Sequence, residues 1–238
     1  MHELLQLGNV SGKVIVEAGH IYTNQTPGLD HLTGTAWGAF ISNLLEGLGL
    51  EVEKWLFIDN YNPHFSGLPE VLDQSTYLSE IAEHGFNVDK VVYEADMVAL
   101  AKKKVMEMQN SGNAFEEKGV VKLVKGGVQL YDANKTAPGA HEKGKYSCPL
   151  LDACCYLQKL QEADAAVTVL SAGYAQEQKS VIKILKSLQA DSTRVFPILY
   201  QIGNNPKLGN ISAVIQPALA ILQYTSGVAE SVAKGFGK

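Results

Sequence analysis

Five short apolar runs punctuate this chain, and between them lie longer segments whose apolar residues recur every three or four positions. The runs, at 14–16, 54–58, 90–93, 165–170 and 195–200, are too short for buried helices and too continuous for strands with one wet face. They read as parallel strands covered on both sides. The segments between them supply the covers. Trp37, Phe40, Ile41, Leu44, Leu45 and Leu48 mark one apolar stripe, and Gly47 and Gly49 close it. Further helices are predicted over 74–84, 98–109 and 149–160, the last with Pro149 in its first turn. Another carries Val181, Ile182, Leu185 and Leu188, and a final one is expected over about 211–224, kinked at Pro217. Strand alternating with helix predicts an α/β fold, a mostly parallel sheet flanked by helices, and 238 residues suit a single domain, 1–238.

One stretch breaks the rhythm. Residues 110–146 are rich in Gly, Asn and Lys, with short strand candidates at 120–124 and 128–131 around Gly126-Gly127, which predicts an inserted hairpin with flexible flanks. Both tryptophans, Trp37 and Trp55, fall on apolar patterns and are expected in the core.

Charge and cysteine usage narrow the function. The formal net charge is −5 and Arg194 is the only arginine, a weak balance for a nucleic-acid partner that needs clustered cations. Cys148, Cys154 and Cys155 lie too close together for a disulfide framework or a zinc site, so free thiols in a reducing cytoplasm are expected. No basic leader with a long apolar run opens the chain, and no run is long enough to span a bilayer. His20, His64 and His141 show no metal-ligand spacing and read as surface or internally satisfied histidines; no metal site is predicted.

Ligands of open parallel sheets sit beyond the carboxyl ends of the strands. The run at 54–58 ends in Asp59-Asn60, so Asp59 is expected to face such a crevice. Four loops qualify as its walls, at 28–35, 59–63, 171–176 and 203–212, although none matches a P-loop or GxGxxG fingerprint.

The order of the pieces is more specific: HLTG at 31–34, FIDNYN at 57–62, GFNVDKVVYEAD at 85–96, SCPLLDACCYL at 147–157, TVLSAGYAQEQ at 168–178 and NPKLGNIS at 205–212. This succession, over roughly 13–215, resembles the catalytic domain of a class I aminoacyl-tRNA synthetase of the tyrosyl/tryptophanyl branch. The resemblance implies a Rossmann-like (HUP-type) fold with a connective insertion, here about 110–146. It also implies adenylate formation from an amino acid and ATP with Mg²⁺, and a homodimer.

Residue by residue, the resemblance makes His31 the first His of the HIGH motif and Lys207 the first Lys of KMSKS, both attending the phosphates. Thr35 stands where a second His would fall and Asn210 where a second Lys would. Thr33, Gly34, Thr35, Gly173 and Gln176 would hold the nucleotide, and Ala175 replaces an Asp of the family loop. Asp59, Asp152 and Glu17 would meet the ammonium of the amino acid, with Cys155 beside its side chain in place of the Asp that reads a tyrosine hydroxyl. The chain ends shortly after the KMSKS-like loop, which leaves no anticodon-binding domain and, with the acidic balance, weighs against tRNA as a partner. Two other functions stand beside this one: a non-catalytic binding or regulatory descendant of the fold, which the altered motifs suit, and a tRNA-dependent aminoacyl transferase of cyclodipeptide-synthase type, for which the sequence shows no matching serine-containing strand-end motif.

Overall fold

The computed structural model describes residues 12–23, 26–61, 72–137 and 143–200. Strands β1 (Lys13–Glu17) and β2 (Ile21–Tyr22) precede α1 (Leu29–Gly47), and β3 (Glu51–Asp59), α2 (Gln74–Glu83) and β4 (Lys90–Tyr93) follow. After α3 (Val98–Asn110) come four short strands, β5 (Ala114–Glu117), β6 (Val120–Leu123), β7 (Gln129–Asp132) and β8 (Lys145–Tyr146). Helix α4 (Cys148–Glu162), β9 (Ala165–Ser171), α5 (Ala175–Ser187) and β10 (Val195–Tyr200) complete the described chain. The expected loop at 203–212, the helix at 211–224, and Lys207, Asn210, His64 and His141 lie outside the described residues.

The six strands of the main sheet are all parallel. Ile58 of β3 is matched by Ile21 on one side and Tyr93 on the other, while Trp55 is matched by Glu17 and Lys90. Hence β1 and β2 share one flank of β3 and β4 takes the other. With β9 beside β1 and β10 beyond it, the order across the sheet is β4, β3, β1 with β2, β9, β10. The Rossmann-like fold read from the sequence is the fold observed.

Alternation along the strands divides the core. Val14, Val16, Leu56, Ile58, Val167 and Val169 face α1 and α2, and Ile15, Trp55, Phe57 and Ala166 face α3, α4 and α5. Both faces are apolar because both are covered, which is why these strands read as unbroken runs.

Helix α1 corrects one expectation. Ile41 and Leu45 of its stripe are buried, but Phe40 is 50 % exposed and Trp37 is half-buried with its ring edge-on to Phe40. The face that meets the sheet is instead small: Gly34, Thr35, Gly38, Ala39 and Ser42. A Cβ at Gly38 would run into the Ala18 methyl and press on the Phe86 ring at 3.0 Å, so the helix backbone lies nearly on the sheet. Close seating of this kind pushes the large residues of the stripe toward the margins.

The insertion also holds more strands than its sequence suggests. Instead of one hairpin, β5–β6–β7–β8 form an antiparallel sheet whose Ala114, Val121, Leu123 and Leu130 join the core under α3 and α4. β5 escapes a reading by hydropathy because its sequence, AFEE, buries only Ala114. Among the described residues no helix is long and apolar enough to cross a membrane.

Gly38→Ala is expected to cost about 1–3 kcal/mol through overpacking. Gly47→Ala, at an exposed position with nothing within 4 Å, should be neutral or stabilising by up to about 1 kcal/mol. Urea denaturation of the two variants checks the contrast, and equal midpoints would contradict the seating of α1.

Candidate functional site

The strand order reverses between β1 and β9, and the crevice beyond their carboxyl ends is where open parallel sheets bind ligands. A cleft of about 570 Å³ fills it. His20 and Tyr22 contribute from the β1 side, Asp30 and His31 from α1, Cys148 from α4, and Tyr174 and Glu177 from the junction of β9 and α5.

His20 reaches the floor through a register shift. Glu17 pairs with Trp55 and Ile21 with Ile58, so three residues, Ala18, Gly19 and His20, stand opposite two, Leu56 and Phe57. An extra residue reverses the facing of everything after it. His20, which simple alternation would send to the α1 face with Val16, points instead to the face of Glu17, Phe57 and Asp59. Gly19 makes the turn with φ of +75°, its carbonyl accepting a hydrogen bond from Tyr77 Oη at 2.7 Å.

Beneath the cleft lies a network of buried charge. His20 Nε2 is 2.7 Å from Asp59 Oδ2, and Nδ1 is 3.9 Å from Glu17 Oε1. Lys159 Nζ lies 2.5 Å from the other Glu17 oxygen and donates to Thr168 Oγ1 at 3.0 Å. The Cys155 thiol donates to that same Glu17 oxygen at 3.7 Å. Two carboxylates therefore face two cations with little solvent between them, an arrangement in which each charge requires its partner. Burial alone would lower the pKa of His20, but Asp59, by its charge and its hydrogen bond, raises it well above the ordinary value. Burial likewise opposes the Lys159 ammonium, and Cys155 and Glu17 reverse the direction to a net rise.

A second acidic pair joins this floor to the cleft wall. Burial, then Glu177, push Asp152 well above the carboxylate range, which favours its neutral form. Glu177 is raised too, chiefly by burial, while the hydrogen bond from Asp152 works in the opposite direction. Both shifts run upward, the direction expected of two buried carboxyls in contact. Aromatic groups complete the site: Tyr174 Oη donates to Tyr22 Oη at 3.2 Å, and Tyr200 Oη donates to the Asp30 carbonyl at 2.6 Å.

The residues singled out from sequence land unevenly. Asp59 and Glu17, expected to meet a ligand ammonium, are engaged by His20 and Lys159 of the chain itself. Asp152 is half-buried against Glu177, and Cys155 is buried with its thiol on Glu17. His31 lines the cleft, where its Nδ1 accepts from Gly28 N at 3.0 Å and burial lowers its pKa, so the ring is neutral. Gly34 is covered by Tyr200, whose hydroxyl a Cβ would meet at 2.8 Å. Thr33 is half-buried within α1, and Thr35 is buried with its hydroxyl donating to the His31 carbonyl at 2.8 Å. Gly173 sits at the rim, whereas Gln176 is exposed in a separate groove between α5 and β10. Sequence reasoning passes over Lys159, Glu177, Tyr22, Tyr174 and Tyr200, which carry no spacing signal. His20, read as a surface or internally satisfied histidine, is internally satisfied by Asp59, and a register shift hides its place in the site.

Among the described residues no group of three or more His, Cys, Asp or Glu side chains is arranged to hold a metal ion. The three cysteines are free.

No protein-family profile and no curated protein sequence matches this chain. Solved structures do. A Campylobacter jejuni protein described as an arginyl-tRNA synthetase superposes with a TM-score of 0.58 at 12% identity, covering 84% of this chain and 58% of its own. Arginyl-tRNA synthetase from Plasmodium falciparum gives 0.60 at 12% identity over 93% of this chain and 49% of its own. The Thermus thermophilus arginyl-tRNA synthetase gives 0.54 at 16% identity over 80% and 48%. The chain thus spans about half the length of these structures, and the likeness is one of fold, that of class I synthetases. All three are named as arginyl enzymes; the likeness supports a class I synthetase-like fold and does not extend to the tyrosyl/tryptophanyl branch.

Lys159→Met should cost about 3–5 kcal/mol by stranding Glu17, and adding Glu17→Gln should recover most of it; urea denaturation of the single and double variants measures both. The raised pKa of His20 fixes a pH dependence. Its ion pair contributes fully below the unfolded value of about 6.5, and stability falls as pH rises from there through the folded value, with a slope of up to about 1.4 kcal/mol per pH unit. His20→Asn should flatten that slope in denaturation series run from neutral to alkaline pH.

Proposed function

We propose that this chain binds an amino acid in the cleft at the ends of β1 and β9, and forms an aminoacyl adenylate there from ATP. The cleft carries the reading: it lies at the sheet's switch point, and Glu177 with Asp30 gives it an acidic wall suited to an amino acid's ammonium. Asp152 supports Glu177 from behind rather than meeting the ligand first. Arginine is the first amino acid to try, because the solved neighbours are named for it and an aromatic and acidic lining suits a guanidinium.

In that reaction a carboxylate oxygen of the amino acid attacks the α-phosphorus, and the bond to the bridging oxygen breaks as pyrophosphate leaves. His31, on the cleft with its pKa lowered by burial, and the first turn of α1 would attend the phosphates, and Lys207, further along the sequence, would join them if it takes the role that the resemblance assigns. Mg²⁺ would enter with the nucleotide and neutralise phosphate charge, since among the described residues no cluster of side chains is arranged to hold a metal ion.

One observation favours a second reading, a binding module without turnover. Thr35 spends its hydroxyl inside α1 and Gln176 lies outside the cleft, so two groups that the resemblance assigns to the nucleotide do not reach it. Asn210, with no positive charge, would also leave the departing pyrophosphate less stabilised. An aminoacyl transferase drawing on charged tRNA is the third candidate, and the acidic balance weighs against it.

Thermal shift against the amino acids, with and without Mg·ATP, separates the readings. A ligand at a hundred times its Kd adds about 2.7 kcal/mol of apparent stability. Stabilisation by an amino acid is the expected result, with the binding free energy derived from it weakened by about 1.5–3 kcal/mol in Glu177→Gln and unchanged in Gln176→Ala. Pyrophosphate exchange then distinguishes the enzyme from the module, and failure of every amino acid to stabilise the protein would overturn the site.

A further inference from the structure

We propose that His20 is a specificity-determining residue: its ring fills a cation subsite built from Asp59, Glu17 and three aromatic rings, and so bars a ligand's cationic group from the floor of the cleft.

The subsite has the form of a cage for an organic cation. Phe57, Tyr174 and Tyr22 surround the ring at centroid distances of 5.2, 5.6 and 6.1 Å, all tilted. Asp59 is in direct hydrogen-bonding contact and Glu17 lies just beyond that range, with both side chains nearly dry. Aromatic faces with flanking carboxylates are what proteins use to hold ammonium, guanidinium and imidazolium groups. Here the chain supplies the cation itself, the His20 side chain, at a position created by the one-residue bulge between β1 and β2.

The charge balance shows what His20 does. Glu17 has a second cation in Lys159, whereas the hydrogen-bonding partner of the Asp59 carboxylate among the described residues is His20. Removing the ring leaves a buried carboxylate beside a ring-sized space that opens upward into the cleft, since His20 lines both the cleft and the smaller cavity beneath it. A ligand's cation is thereby directed to Glu177 and Asp30 at the wall instead of to Asp59 at the floor. This consequence for ligands builds on the reading of the cleft as an amino-acid site, while the subsite itself is testable without any amino acid.

The test is chemical rescue. His20→Ala is compared with wild type by thermal denaturation at constant ionic strength near pH 6, where imidazole is mostly cationic. Imidazole is expected to raise the midpoint of His20→Ala by roughly 3–6 °C at about ten times its dissociation constant, and to leave wild type unmoved. Pyrazole, a neutral ring of the same size, should give no shift, and His20→Ala with Asp59→Asn should lose the response to imidazole. If His20→Ala folds only with the additive present, the folded fraction against imidazole concentration reads the same subsite. His20→Asn, which keeps the space filled, should fold and ignore imidazole. Equal responses of wild type and His20→Ala, equal responses to imidazole and pyrazole, or none in His20→Ala would each overturn the inference. Amino-acid binding by wild type without rescue of His20→Ala would overturn the role of His20 alone. Rescue without amino-acid binding by either protein would support the subsite and overturn the ligand reading.

Discussion

The ion pair between Glu17 and Lys159 ties the main sheet to the helices on one of its faces. Glu17 ends the central strand and Lys159 stands on the last turn of α4, so one contact of 2.5 Å joins sheet to helix with both side chains buried. Neither charge is tolerable there alone, because the desolvation of each is offset only by the other and by the hydrogen bonds around them. Thr168 on β9 and Cys155 on α4 supply those bonds. The position of α4 then sets where Asp152 and Cys148 stand, and with them the inner wall of the cleft.

The same electrostatic demand governs the neighbouring strand. Asp59 ends β3 on the face of Glu17, and a second buried carboxylate requires a second cation. His20 meets it, and the bulge that delivers His20 also turns the chain past Gly19 under Tyr77 and Thr35. Close seating of α1 follows from that turn, since Gly38 must clear Ala18 and Gly34 must clear Tyr200. The opening of the cleft is thus fixed by small residues on one side and by charge pairing on the other. Its fold is shared with arginyl-tRNA synthetases at 12–16% identity, but this arrangement of charges is a property of the chain's own residues.

The strand runs, the helix stripes and the crevice beyond Asp59 were determined by the sequence alone, because covering both faces of a parallel sheet forces unbroken apolar runs and fixes which strand ends gather. Hydropathy did not reveal β5, whose burial rests on a single alanine, or the exposed placement of Phe40, which follows from how closely α1 approaches the sheet. The pairing of Glu17 with Lys159 joins residues far apart in the chain, with no periodicity to announce it. Asp59 could be placed at the end of its strand from the sequence, but its partner could not. Only the tertiary structure decided that, because one residue of register between β1 and β3 determines which face His20 occupies, and register is a relation between strands that neither carries by itself.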